Sequence, residues 1–226
     1  MIYVYRRARS DSARHLAEAL EGRRIRRLAK KLPADSWYVC WGEAWPFGDM
    51  RYVLNGAAVR SKLTDVKLLE KLKVPTIEVS LTPKEGWLPR IVNHTGGLDL
   101  LRPPAHPEFW VKKEVFVKEF RVHSFDGQSI RAGIKVPRQG FDKPHAWIRS
   151  WDGGWRISYD GKSIKQRHRD VAHKAVEALG LTFGAVDIGE RKDKSLVVLE
   201  VNRAPGLEGG TIGCYADAIH SWIGDH

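Results

Sequence analysis

The residues from Leu179 to Leu207, LGLTFGAVDIGERKDKSLVVLEVNRAPGL, organise the rest of the chain. Phe183 to Ile188 is apolar and β-branched and carries Asp187 near its end. Arg191 to Lys194 is a polar turn, and Leu196 to Val201 is a second apolar run that carries Glu200. Two such runs across a short polar turn predict a β-hairpin. Side chains two residues apart on a strand share a face, so Glu200 and Asn202 point the same way. Asp187, near the end of the partner strand, can face them. Two carboxylates and an amide oxygen converging there suit a hard divalent cation such as Mg²⁺. On local chemistry alone the same two acids also fit a strand-end pair bridged to Lys or Arg. A carboxylate beside apolar residues is costly to bury without a positive partner.

The wider pattern separates these readings. LGLTFGAVDI followed by VLEVNRAPGLEG resembles the C-terminal signature of the ATP-grasp superfamily. In that signature a small-residue strand ends in Asp, a second strand ends Glu-x-Asn, and a Pro-Gly turn follows. The likeness is greatest to the carboxylate–amine ligases, including the RimK-like enzymes. The resemblance implies an α/β (α+β) architecture, in which two α+β subdomains clamp ATP behind a short α/β lobe. Residues 1–55 are then the abbreviated lobe and residues 56–226 the ATP-grasp domain. Within it, 56–115 form the first, lid subdomain and 116–226 the metal-binding one. Asp187, Glu200 and Asn202 would hold the Mg²⁺ that bridges the ATP phosphates, as two ions for which Mn²⁺ can substitute.

Composition sets wider bounds. The chain has 226 residues, enough for one or two small domains with a sizeable core. No apolar run approaches the ~20 residues of a membrane span. MIYVYRRARSDS lacks the apolar stretch of a secretory signal. The only cysteines, Cys40 and Cys214, fit a reduced cytoplasmic setting better than a disulfide scaffold. The net charge of +11 favours acidic partners such as nucleotides, nucleic acid, acidic peptides or anionic metabolites. The densest basic cluster, Arg23, Arg24, Arg26, Arg27, Lys30 and Lys31, has no interleaved aromatic residues. It reads as a solvated face rather than a nucleic-acid platform.

In chain order, Ile2 to Tyr5 reads as a strand, Ser12 to Leu20 as a helix, Arg23 to Leu28 as a short edge strand and Trp37 to Trp41 as a third strand. Thr64 would cap a helix whose apolar face is Val66, Leu68, Leu69 and Leu72. By resemblance that helix carries the first ATP-contacting lysine, Lys67, with Lys62 as the alternative. Leu88 to Leu101 matches a strand and a glycine loop over the triphosphate, with Arg90, His94, Gly96 and Gly97 near phosphate. The family usually has lysine where this chain has Arg90. Arg90 could clamp a phosphate bidentately.

Phe109 to Val117 reads as a strand, and the family's adenine-reading hinge falls there, at Glu114 and Val117. EFRVHSF resembles a segment of the ATP-grasp ligases, and its Glu119 and Arg121 alternate to one face, from which they could reach ribose, phosphate or substrate or form a surface cross-strand pair. Lys135, on a strand from Ile130 to Val136, matches a basic residue near phosphate or substrate. Arg149 is the candidate for stabilising the transferred phosphoryl group, although the Asn that often follows is missing. Asp170 to Leu179 reads as an amphipathic helix behind the hairpin, and Tyr215 to Ile223 as a last apolar helix.

The activity the resemblance implies is ligation. ATP and a carboxylate give an acyl phosphate, which an amine attacks. An acidic peptide or protein tail is among the candidate substrates. Two alternatives come from other classes: an ATP-grasp kinase acting on a small molecule, and a non-catalytic basic module that binds nucleic acid or acidic protein.

Overall fold

A computed structural model describes residues 1–28, 33, 35–47, 52–91, 104–161 and 163–226. His94, Gly96, Gly97, Lys30 and Lys31 lie outside them. The chain opens with a parallel sheet of β1 (Ile2–Tyr5), β2 (Arg23–Ile25), β3 (Trp37–Cys40) and β4 (Val53–Leu54), ordered β2-β1-β3-β4. Helix α1 (Asp11–Ala19) makes the crossover that a parallel β1–β2 pair requires. It starts just ahead of Ser12, because the Ser10 hydroxyl accepts the Ala13 amide as N-cap.

Helix α2 (Lys62–Lys71) is capped by Ser61 rather than Thr64, since the Ser61 hydroxyl accepts the Thr64 amide at 3.1 Å. An antiparallel sheet of β5 (Val79–Ser80), β6 (Trp87–Arg90) and β7 (Phe109–Lys112) follows, ordered β5-β7-β6. The expected run to Val117 stops at Lys112, where the chain crosses to the next sheet. There the Val117 amide donates to the Glu190 carbonyl at 2.9 Å.

The largest sheet holds β8 (Lys118–Phe125), β9 (Gln128–Pro137), β10 (Trp155–Ser158), β11 (Phe183–Glu190) and β12 (Leu196–Asn202), ordered β10-β9-β8-β11-β12 and antiparallel throughout. Helix α3 (Gln166–Ala178) covers one face, with Ala172, Ala175 and Val176 against Phe120, Val186 and Ile188. It begins ahead of Asp170, because the His168 Nδ1 accepts the Lys165 amide at 2.9 Å and closes the first turn. Helix α4 (Gly210–Gly224) returns to the N-terminal sheet. Its Tyr215 and Ile219 share one core with Val4, Leu16, Trp41, Leu54 and Phe183. A smaller buried cluster of Tyr5, Tyr38, Cys40 and Val53 lies within residues 1–55. Among the described residues no helix is long and apolar enough to cross a membrane.

Asn55 ties the lobe to the hairpin. It is buried, with φ +59°, a conformation Asn tolerates better than most residues. Its Oδ1 accepts the Thr182 and Phe183 amides at 3.1 and 3.3 Å, just where β11 begins. Asn55→Ala should lower unfolding stability by about 1–3 kcal/mol, because two buried amides lose their acceptor. Urea denaturation checks this, and an unchanged midpoint would remove Asn55 as the clamp.

Candidate functional site

Strand β11 lies between β8 and β12, which decides what surrounds Asp187. Its cross-strand partners are Arg121 on β8 and Glu200 on β12, and Ala185 pairs with Asn202. The β11–β12 register then slips, since Asp187 pairs with Glu200 but Ile188 pairs with Val198. Leu199 is the extra residue of this bulge, a feature that re-aims side chains at strand ends. Asp187, Glu200 and Asn202 all line one cleft, together with Glu119, Arg121, Lys135 and Arg149.

The charges are tightly paired. Arg121 grips Asp187 bidentately, Nε to Oδ1 at 2.7 Å and Nη2 to Oδ2 at 2.9 Å. Lys135 donates to Asp187 Oδ2 at 3.2 Å and to Glu119 Oε2 at 3.1 Å. Arg149 Nε lies 3.7 Å from Glu119 Oε1, Nη2 donates to the Phe116 carbonyl at 2.7 Å, and the guanidinium sits 4.7 Å from the Trp155 ring centroid. Lys62, from the first turn of α2, reaches Glu200 at 2.8 Å. Asp65, one turn on, binds Arg203 at 2.9 Å. These pairs set four carboxylates against five cations, one positive charge in excess.

Burial shapes their ionisation. Burial alone would raise the Asp187 carboxyl, but the Arg121 and Lys135 charges and hydrogen bonds outweigh it and hold the group well below the usual range. Burial raises Glu119, and Lys135 and Arg149 offset only part of that rise. Burial would lower the Lys135 ammonium, but Asp187 and Glu119 together raise it. His123 is fully buried between the Tyr159 and Tyr215 hydroxyls, at 3.1 and 3.2 Å. Burial first, and the nearby Arg121 second, pull its pKa down to about 3.

The cleft has a volume of about 940 Å³. The main sheet forms one wall, and α2, β6 and β7 supply Lys62, Arg90 and Val111 to another. Glu114 also lines it, but its carboxylate is held bidentately by Arg191 at 2.6 and 3.0 Å. The structure does not bring Lys67 or Val117 to the cleft. Lys62 and Asp65, three apart, share one face of α2, whereas Lys67 points away and is exposed. Val117 is likewise exposed, and its amide already bonds Glu190. Reading from sequence also missed Tyr159 and Trp155, which reach the cleft from β10 and the turn after it. Nothing in their local sequence marks them.

Among the described residues no cluster of three or more His, Cys, Asp or Glu is poised for a metal. The donor set present, Asp187, Glu200 and Asn202, fits Mg²⁺ nonetheless. That ion takes one or two carboxylates and completes its octahedron with waters and phosphate oxygens.

Comparison with solved structures shows the fold. The ATP-grasp ligase PsnB, solved with its minimal precursor, matches with TM-score 0.66 over 97% of this chain and 98% of that one, at 16% identity. The macrocyclase MdnC from Microcystis aeruginosa MRC, solved with precursor peptide MdnA, matches with TM-score 0.64 over 100% and 99%, at 11% identity. The chain has the ATP-grasp fold. In sequence, one segment is 43% identical over 67 residues to the ribosomal protein bS6–L-glutamate ligase of Salmonella paratyphi B. The match covers 28% of this chain and 22% of that protein. No protein-family model matches the chain.

The buried imidazole makes stability depend on pH. Unfolded His123 takes up a proton near its ordinary pKa of about 6.5, while folded His123 stays neutral down to about 3. Between those values the unfolded state binds the extra proton, so stability falls as pH falls, by up to about 1.4 kcal/mol per pH unit. His123→Gln should flatten the decline in urea midpoint from pH 7 to pH 5. Equal slopes in the two proteins would mean that His123 takes up its proton over the same pH range folded and unfolded.

Proposed function

We propose that this protein is an ATP-dependent carboxylate–amine ligase. The observation that carries the reading is the cross-strand pairing of Asp187 and Glu200 at the wall of a cleft crowded with Arg and Lys. The ATP-grasp fold and the segment similar to a glutamate ligase support it.

A carboxylate is a poor electrophile. Its oxygen attacks the γ-phosphorus of ATP, the bond to the β-phosphate oxygen breaks, and ADP leaves. An amine then attacks the acyl carbon, phosphate departs and the nitrogen loses a proton. Mg²⁺ held by Asp187, Glu200 and Asn202 would neutralise charge on the phosphates. Arg121 and Lys135 keep the Asp187 carboxylate ionised and fix its orientation. Lys62 and Arg90 supply cations on the opposite wall for phosphate oxygens. Arg149 lines the cleft with its Nε toward Glu119 at 3.7 Å and its Nη2 on the Phe116 carbonyl. Its guanidinium would meet negative charge on the transferred phosphoryl group. Free Cys40 and Cys214 suit a reducing compartment such as the cytoplasm.

The substrates are a small or peptide-borne carboxylate and an amine, and an acidic peptide or protein tail suits the basic chain. ADP release should be measured with Mg²⁺-ATP over pools of amino acids, polyamines and short acidic peptides, with products weighed by mass spectrometry. Release that requires both a carboxylate and an amine, with a product mass equal to their sum less water, is expected. Glu200→Gln should fold normally and lose turnover by roughly 10²-fold or more. Wild-type turnover in that variant would sink the metal assignment, and a stable phosphorylated product formed without amine would replace the ligase with a kinase.

A further inference from the structure

Lys62 differs from the other cations beside the paired strands. Arg121 and Lys135 come from the sheet that carries the carboxylates, while Lys62 comes from α2 across the cleft. Its hold on Glu200 is one 2.8 Å contact between side chains 29% and 31% exposed. Asp187 is 9% exposed and accepts three hydrogen bonds. Stripping a buried carboxylate of its partners is costly, whereas breaking a pair about a third exposed costs less. Glu200 can therefore exchange its counter-ion more cheaply than Asp187. A lysine on a flexible four-carbon stem suits such an exchange.

The charge balance decides what can displace it. The paired groups already carry one positive charge in excess. A bare divalent cation adds two more to the same small region and is repelled. A nucleoside triphosphate brings several negative charges and reverses the balance. We infer that Lys62 is an exchangeable counter-ion: it holds Glu200 in the free protein, disfavours a bare divalent cation there, and moves to a nucleotide phosphate when metal and nucleotide arrive together. The inference rests on the ligase reading, because it uses Glu200 as a metal donor. Metal and nucleotide then bind cooperatively, each raising the other's affinity by the same factor.

Mn²⁺ binding, followed by the loss of the free-ion paramagnetic resonance signal, tests this without any turnover. Wild-type protein, Lys62→Met and Lys71→Met are titrated with and without a non-hydrolysable ATP analogue, the Mn²⁺ taken up by the analogue alone is subtracted from a protein-free titration, and circular dichroism confirms that each protein is folded. Lys71 is an exposed lysine in the last turn of the same helix, so it controls for the general loss of charge. The analogue should tighten Mn²⁺ binding to wild type roughly tenfold or more. Lys62→Met should bind Mn²⁺ roughly tenfold tighter than wild type without nucleotide and lose most of the coupling, while Lys71→Met matches wild type. Equal nucleotide-free affinities for wild type and Lys62→Met would overturn the inference. Absence, in all three proteins, of Mn²⁺ binding beyond that of the analogue alone would overturn the metal assignment itself, a failure distinguishable from the first.

Discussion

Asp187 is a buried carboxylate on β11, an interior strand of the main sheet, and its neutralisation constrains much of what surrounds it. A lone ionised carboxylate in such a place is prohibitively expensive. Arg121 and Lys135, on the two strands to one side, make it tolerable. Lys135 in turn binds Glu119, which Arg149 approaches. Strand order, register and the choice of charged residue at four positions are thus one linked solution. Such a network is weak grounds for stability, since apolar side chains of similar volume often pack as well. Its position at the cleft wall gives it a purpose that packing alone does not.

The rest of the architecture keeps that wall rigid and closes the cleft opposite it. Helix α3 seals the back of the sheet with Ala and Val, which allow close approach. The N-terminal lobe is anchored through Asn55 and through the core it shares with α4. The α2 helix contributes apolar Val66 and Leu69 inward and presents Lys62 to the cleft. One wall therefore carries charges fixed by short cross-strand contacts, and the other carries a longer-reaching cation. Chemistry that moves negative charge between phosphate and carboxylate needs both properties: fixed dipoles where charge develops, and a cation able to follow the phosphate.

Much of this was legible in residue order. The hairpin, Glu200 and Asn202 on one edge, the Asp187 partner and the helix behind them follow from period-2 and period-3.6 patterns and a polar turn. The local reading of acids bridged to Lys or Arg is what the structure shows: both carboxylates have basic partners. The proposed metal site is compatible with it, because a metal site without its ion still needs counter-charge. Lys62 against Lys67 was harder. Both lie on the same helix, and only the way α2 packs Val66 and Leu69 inward turns Lys62 to the cleft and Lys67 to solvent.

Sequence alone determined the elements whose signals are local: strand and helix periods, the turn, and the residue types suited to hard cations and phosphates. It also carried the order of motifs that resembles the ATP-grasp ligases. Tertiary structure decided everything that depends on contacts across long separations. It set Asp187 opposite Arg121, placed Lys135 beside both acids, delivered Tyr159 and Trp155 to the cleft from a strand with no distinctive pattern, and put α4 under the N-terminal sheet. The reason is physical. Local preferences depend on a few neighbouring residues, whereas a site's charge pairing depends on which strands become neighbours, and only the folded sheet fixes that.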